Sequence, residues 1–156
     1  TRNRRRVQAL MLRHLFLAAI VCAAPLPALA DDRADMEAFM ADYLKAWNAH
    51  DAAAITSTYY RLDSDHAWST KDGMEAEFAR LRSQGYDKSD IQSVTGCVLT
   101  ADTGQVELRY IRLKTDGGFM PPKNRASIYK LRKFEDGWRI TSFAGMPAEQ
   151  KMECPG

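Results

Sequence analysis

Residues 36–51, MEAFMADYLKAWNAHD, decide the fold, because they predict an amphipathic helix on which the rest of the chain can pack. Large apolar side chains recur at spacings of three and four and form one broad face over three turns: Met36, Phe39, Met40, Tyr43, Leu44 and Trp47. Asp32 or Asp35 is expected to cap the first turn. Asn48-Ala49-His50 is expected to end the helix.

Two more helices are predicted before the chain becomes strand-like. Asp51 can cap a short helix over residues 52–58, and residues 59–69 are expected to be extended, with an interruption at residues 63–65. Residues 72–75, Asp-Gly-Met-Glu, form a capping-box pattern that opens a third helix, for which Gly85 is a natural stop.

Four strands are predicted in the remainder, over residues 91–100, 105–114, 124–134 and 138–143. Residues 101–104 and 135–137 are turn-forming and connect the first pair and the last pair as hairpins. Helices followed by an antiparallel meander predict an α+β fold, with three N-terminal helices on one face of a curved antiparallel sheet.

The first 30 residues have the composition of a signal peptide. They hold five Arg and no acidic residue, with an apolar run at residues 15–24 and the small-residue pattern Ala28-Leu29-Ala30 before the expected cleavage point. Met11 is an alternative start, because residues 11–30 form a compact signal by themselves. Residues 31–156 would then be a single domain with a short C-terminal tail, in the periplasm or secreted.

The expected mature chain is slightly acidic. It holds 17 Lys and Arg (22 − 5) against 20 Asp and Glu, a net charge of −3. This balance gives no electrostatic footprint for nucleic acid. The apolar run at residues 15–24 is too short for a membrane span of about 20 residues, and no membrane partner is expected once the signal is cleaved.

Two cysteines remain after the expected cleavage, Cys97 and Cys154. An even pair in an oxidising compartment predicts a disulfide. The alternative is a buried thiol on a strand and a second thiol in the tail.

The two ends of the domain resemble a known superfamily. Residues 43–51, YLKAWNAHD, followed by Tyr59-Tyr60, look like the opening of the NTF2-like superfamily, which includes SnoaL-like polyketide cyclases and ketosteroid isomerases. Residues 129–140, YKLRKFEDGWRI, are similar to its final hairpin. The resemblance spans roughly residues 36–145 and implies a cone-shaped domain with a pocket between the first helix and the concave sheet. It also implies a homodimer, which we place at the outer sheet face because apolar residues such as Ile111 and Ile128 are expected to be exposed there.

Catalytic residues of the superfamily are only partly matched. Tyr43 matches the helix tyrosine of the isomerases. Their general base falls near Trp68, which cannot abstract a proton, and their second acid falls near Lys130, which cannot replace a protonated carboxyl donor. Asp63 and His66 could instead serve a dehydratase-like or cyclase-like site together with Tyr43. The alternative is that Asp63 forms a turn and His66 lies near the surface.

Aromatic side chains with polar tips are the stronger signal for a binding cavity. The candidate ligand-binding residues are Tyr43, Trp47, Tyr60, His66, Trp68, Tyr110, Arg112 and Tyr129. Strand alternation places Arg112 on the face of Tyr110, and Arg125 on the face of Tyr129. If both guanidinium groups point into the apolar cavity, they favour an anionic ligand. The alternative interpretation is that both arginines lie at the rim of the cavity and are solvated.

Three hypotheses for function follow from these residues. The first is a binder of a small hydrophobic or aromatic, in particular anionic, molecule. The second is an enzyme of SnoaL, isomerase or dehydratase type, and the third is an interaction module with a filled pocket. No metal or cofactor is expected, because the sequence has neither a His-x-x-x-His spacing nor a glycine-rich phosphate loop.

Overall fold

The structure is a computed structural model that describes residues 26–155, with side chains described from residue 31 onward. Residues 1–25, which form most of the predicted signal peptide, lie outside the described residues. The described residues contain three α-helices: α1 (Leu26–Asn48), α2 (Ala52–Ala54) and α3 (Lys71–Ser83). A π-helix, Ile55–Tyr59, continues α2, and a 3-10 helix, Ala67–Ser69, precedes α3.

Four strands follow the helices: β1 (Tyr86–Val98), β2 (Thr103–Lys114), β3 (Arg125–Phe134) and β4 (Gly137–Met146). They form one antiparallel meander in the order β1-β2-β3-β4. The helices pack on one face of this sheet, which we call the inner face, so the predicted α+β class is confirmed.

α1 begins earlier than predicted. Because residues 26–35 are already helical, Asp32 and Asp35 lie inside α1, and the prediction that one of them caps it is wrong. The stretch before Met36 is rich in alanine and holds no glycine, so it extends the helix toward the N-terminus. Asp32 instead pairs with Lys133 of β3, with 2.6 Å between Nζ and Oδ1.

The apolar face of α1 is buried against the sheet as predicted. Met36 and Met40 are fully buried, and Tyr43 is 1% exposed. The contact is close enough that β2 needs a glycine beneath it, because a Cβ on Gly104 would lie 2.3 Å from Met36 Sδ. Burial of this face supplies the main apolar area that holds helix and sheet together.

Two polar side chains of α1 attach it to the backbone of β1. Glu37 Oε1 accepts a hydrogen bond from the Gly96 amide at 2.8 Å. At the other end of the helix, Asn48 accepts from the Ser89 amide and donates to the Ser89 carbonyl, both at 2.9 Å. These bonds fix the position of α1 along β1 at two separate points.

The segment between α1 and α3 is helical over the predicted short helix, as α2 and the π-helix, and departs from the predicted extended chain further on. The Asp51 carboxylate accepts from the Ala54 amide at 2.9 Å, which confirms Asp51 as the cap of α2. In residues 59–69, by contrast, Tyr60 makes an isolated bridge to Ile140, and a 3-10 turn follows further on. The prediction of extended chain fails there because a side chain stabilises a compact loop. The backbone amide of Trp68 donates a hydrogen bond to Nδ1 of the His66 imidazole.

α3 uses a different cap from the one predicted. Thr70 is the N-cap, and its hydroxyl accepts from the Gly73 amide at 3.2 Å, so the predicted start at Asp72 is wrong. The threonine lies two residues earlier and already has the extended backbone that a cap requires. Gly85 follows the helix with a φ of +84°, which confirms the predicted glycine stop.

Three strands extend beyond their predicted limits, and β2 does so by only two residues, since it begins at Thr103. β1 begins at Tyr86 rather than Ile91, because register shifts between Tyr86 and Lys88 and between Ile91 and Ser93 interrupt its alternation. β4 continues past Phe143 to Met146. The extensions of β1 and β4 add residues to the inner face.

The chain after β4 crosses the outer face of the sheet. Cys154 forms a disulfide with Cys97 of β1, with the two Cα atoms 5.7 Å apart, which confirms the predicted pairing. We call residues 147–155 the C-terminal tail. Gln105 of β2 donates to the Glu153 carbonyl at 2.9 Å, and Arg109 donates to the carbonyls of Ala148 and Gln150.

Glu107 is a buried carboxylate beneath the C-terminal tail. It accepts hydrogen bonds from Arg109 at 2.6 Å and from the Met152 amide at 2.5 Å. Burial acts to raise the pKa of Glu107, but these two bonds outweigh it and the net pKa lies below its usual range.

Ile111 and Ile128 are half-buried on the same outer face. Among the described helices, none is long and apolar enough to cross a membrane.

We expect the variant Cys154→Ser to be less stable than the wild type by about 4 kcal/mol, because the disulfide closes a loop across a separation of 57 residues. Cys154 is exposed, so the change leaves the packing around the buried Cys97 intact. Urea unfolding of variant and wild type gives the difference in the free energy of unfolding. Wild type with a reducing agent is the control and should lose the same amount. A loss below about 1 kcal/mol in both would show that the tail adds no constraint.

Candidate functional site

A cavity of about 190 Å³ lies between the helices and the inner face of the sheet. Its described walls come from α1, the 3-10 helix and all four strands, so it exists only because the tertiary fold brings them together. The lining residues are Leu44, Trp47, Trp68, Ser89, Leu108, Tyr110, Arg112, Ser127, Tyr129, Phe143 and Gly145.

Aromatic rings form one wall of the cavity. Trp68 stacks on Phe143 with ring centroids 5.0 Å apart and an interplanar angle of 21°, and Trp47 lies 5.9 Å from Trp68. These flat side chains bury a large area and have few rotatable bonds. The wall therefore favours a flat apolar group.

A hydrogen-bond chain holds Trp47 and Ser89 in place at the cavity. The Trp47 indole donates to the Tyr86 hydroxyl at 2.9 Å, and that hydroxyl lies 2.8 Å from Ser89 Oγ. Burial raises the pKa of Tyr86, so this hydroxyl stays protonated at neutral pH. On the sheet side, Tyr110 and Ser127 place their hydroxyls 3.3 Å apart.

Arg112 brings a positive charge to the cavity. Its guanidinium carbon lies 5.7 Å from the Tyr86 ring centroid and 5.9 Å from that of Tyr110, which is cation–π range. Its Nε is buried and has no hydrogen-bond partner. Within residues 31–155, no carboxylate lies within ion-pair distance of Arg112. Since a guanidinium keeps its charge at all ordinary pH values, the cavity holds an uncompensated cation.

The cavity is lined by five of the eight candidate ligand-binding residues: Trp47, Trp68, Tyr110, Arg112 and Tyr129. Tyr43 and Tyr60 lie behind the cavity in the core, with their hydroxyls 2.9 Å apart. Burial raises the pKa of both hydroxyls well above the ordinary value. Helical periodicity predicts that Tyr43 faces the sheet but does not distinguish the core from the cavity wall.

The candidate acid–base residues are not brought together at the cavity. His66 is exposed, and its Nδ1 accepts a hydrogen bond from the Trp68 amide at 3.0 Å, so it caps the 3-10 helix. Asp63 is exposed as well, and its carbonyl accepts from the His66 amide in a turn. Lys130, at the position of the isomerases' second acid, is exposed and absent from the cavity lining.

Sequence reasoning missed six lining residues. Leu44 lies on the predicted apolar face of α1, and Leu108 and Ser127 share the strand faces of Tyr110 and Tyr129, but none of the three is among the candidate ligand-binding residues. Ser89 and Gly145 were missed because the predicted strands were too short. Phe143 ended the last predicted strand, and its cross-strand pairing with Tyr129 could have revealed it. Among the described residues, no group of three or more His, Cys, Asp and Glu could hold a metal ion.

Helices laid across a curved antiparallel meander, with a cavity between them, define the class of NTF2-like domains. A family model described as NTF2-like protein (DUF6841) matches residues 31–148, and the chain belongs to this family. The resemblance drawn from the sequence is confirmed.

Solved structures with the same fold are distant in sequence. An NTF2-like protein with a cystatin-like fold from Novosphingobium aromaticivorans superposes with a TM-score of 0.56 at 19% identity, covering 75% of this chain and 82% of that one. An NTF-2 like protein of unknown function from Shewanella oneidensis gives 0.51 at 16% identity, covering 74% and 97%. The beta subunit of a putative aromatic-ring-hydroxylating dioxygenase from N. aromaticivorans gives 0.52 at 11% identity, covering 80% and 94%. No curated protein matches the chain.

We expect Tyr43→Phe to lower the free energy of unfolding by about 1–2 kcal/mol, because it leaves the buried Tyr60 hydroxyl without its partner. The double variant Tyr43→Phe/Tyr60→Phe removes both hydroxyls and should lose less than the sum of the two single variants. Urea unfolding of the four proteins measures this coupling. Strict additivity would show that the bond between the two hydroxyls contributes nothing.

Proposed function

We propose that this domain binds a single-ring aromatic molecule with a carboxylate group in the cavity beneath α1, without catalysing a reaction. The observation that carries the proposal is the unpaired Arg112 guanidinium in the aromatic cavity. The fold comparisons support a domain of the NTF2-like class, and the ligand is our inference from the site.

The cavity volume limits the size of the ligand. An engineered cavity of about 150 Å³ in another protein binds benzene, whereas drug-sized ligands occupy about 300–1,000 Å³. At about 190 Å³, this cavity suits one ring with a small substituent. A fused multi-ring molecule such as a steroid is too large to be enclosed.

The charges favour an anion over a neutral molecule. Arg112 has a buried Nε that lacks a partner, and leaving such a donor unsatisfied costs about 1–3 kcal/mol or more. A carboxylate would satisfy that donor and neutralise the charge, and a guanidinium can hold a carboxylate by two parallel hydrogen bonds. The ring would lie against the stacked pair of Trp68 and Phe143.

The polar groups of the cavity suit binding better than proton transfer. In the described lining they are hydroxyls, the indole N–H groups of Trp47 and Trp68, and one guanidinium, all of which can donate hydrogen bonds to an anion. Groups that exchange a proton near neutral pH are usually carboxylates or imidazoles, and His66 lies outside this lining. We therefore favour the binder over the enzyme.

We expect wild type to bind benzoate with a Kd below about 1 mM, a modest free energy for a ligand of this size. Arg112→Ala should weaken benzoate binding by about 10- to 150-fold, the equivalent of one hydrogen bond to a charged group. Binding of benzamide, which has the same shape without the charge, should change little. Isothermal titration calorimetry measures both affinities, and equal losses for the two ligands would contradict the role of Arg112.

Two valine variants test whether the cavity itself is the site. Gly145 lines the cavity, and a Cβ there would meet nothing within 4 Å, so Gly145→Val should fold and occupy part of the ligand space. Ala144 is the exposed neighbour that points to the opposite face, so Ala144→Val is the matched control. Benzoate binding should fall at least about 10-fold in the first variant and stay unchanged in the second. Unchanged binding in both would place the ligand elsewhere.

We also propose that the chain is exported to the periplasm or secreted, and that it forms a homodimer. The Cys97–Cys154 disulfide supports export, because such bonds persist in oxidising compartments. The half-buried Ile111 and Ile128 on the outer face support the dimer.

A further inference from the structure

A second depression adjoins the cavity at the start of β3, beside the end of β4, and we call it the outer groove. Tyr110, Ser127 and Gly145 line both spaces, so a molecule bound in the cavity can extend between them into the groove. The other side of the groove is the start of the C-terminal tail, including Pro147 and Glu149. The tail is therefore a wall of this space as well as a cover for the outer face.

Arg125 is the cation of the outer groove. It lines the groove and is not among the residues that line the cavity. One guanidinium nitrogen, Nη2, donates to the Pro121 carbonyl at 2.5 Å, while Nε is buried and has no hydrogen-bond partner. In the described part of the chain, no carboxylate lies within ion-pair distance of it.

Arg112 and Arg125 lie on the same face of neighbouring strands. Arg125 pairs with Tyr110 across the β2–β3 ladder, and Arg112 follows Tyr110 by two residues. Such diagonal neighbours are about 7–8 Å apart. Burial, and then the charge of Arg112, lower the pKa of Arg125, although it remains a cation at neutral pH. Glu149 brings an opposite charge to the groove, but it is exposed to solvent, which screens it.

We propose that the natural ligand carries two anionic groups, one held by Arg112 in the cavity and the other by Arg125 in the outer groove. This inference rests on the proposed function and names a narrower ligand class, an aromatic dicarboxylate or its chemical equivalent. Each cation has a buried N–H donor without a partner, and each lines a different space. A ligand with two anionic groups satisfies both donors and relieves the repulsion between the two cations.

Three ligands distinguish binding of the first anionic group at Arg112 from binding of the second at Arg125. Benzoate has one carboxylate, isophthalate has two, and monomethyl isophthalate has the second carboxylate converted to a neutral methyl ester. In wild type, isophthalate should bind at least about 10-fold tighter than its monomethyl ester, since one charged hydrogen bond contributes about 1.5–3 kcal/mol. Calorimetry at constant ionic strength measures the three affinities.

Arg125→Gln should remove the preference for isophthalate over its monomethyl ester, and it should weaken benzoate binding much less than isophthalate binding, because benzoate places no group in the outer groove. Lys123→Ala is the matched control, because Lys123 is an exposed cation two residues away and should leave all three affinities unchanged. If Arg125→Gln does not fold, which circular dichroism detects, the comparison of isophthalate with its ester in wild type decides alone.

The outcomes distinguish the two proposals. Absence of benzoate binding in wild type would overturn the proposed function. Benzoate binding without a preference for isophthalate over its ester would overturn the second anionic group alone. Equal losses of benzoate and isophthalate in Arg125→Gln would show that Arg125 supports the cavity rather than a second ligand group, which also contradicts this inference.

Discussion

The attachment of α1 to β1 is the constraint on which the rest of the structure depends. The apolar face of the helix is buried on the sheet, but apolar burial is non-directional and does not by itself fix where the helix lies. Asn48 adds direction by accepting from the amide and donating to the carbonyl of one residue, Ser89. The same contact places Trp47 and Ser89 beside Tyr86, so the position of the helix and the wall of the cavity are set by one group of bonds.

The cavity and the core use the same kinds of residue for different purposes. Tyr43 and Tyr60 pair their hydroxyls in the core, which makes a polar contact without any charge. Tyr110 and Ser127 make a similar but longer contact at the cavity, where Arg112 adds a charge. Fully paired hydroxyls stabilise a core, whereas unpaired charged donors raise the free energy of the empty site. This difference separates the half of the inner face that forms the core from the half that lines the cavity.

The helix-then-meander order and the inner faces of β2 and β3 were predictable, because they follow from periodicity in one stretch of chain. The face of Arg112 followed from alternation along β2 in the same way. The limits of β1 and the cap of α3 were not predictable, because bulges hide the alternation and Thr70 lies outside the expected capping box. The sequence also could not predict which tyrosines line the cavity. Tyr43 and Tyr129 differ in how neighbouring elements cover them, and that depends on the whole fold.

The attachment of the C-terminal tail changes the way in which mechanical load reaches the sheet. Without the disulfide, a force applied beyond Cys154 would enter the fold through β4, an edge strand, and could peel it away from β3. With the disulfide, the same force enters at Cys97 of β1, on the opposite edge, and residues 97–154 form a covalently closed loop that carries no load in extension. Under tension the domain therefore behaves as a shorter chain, from α1 to β1, and the strands that carry Arg112, Arg125 and Phe143 lie inside the protected loop.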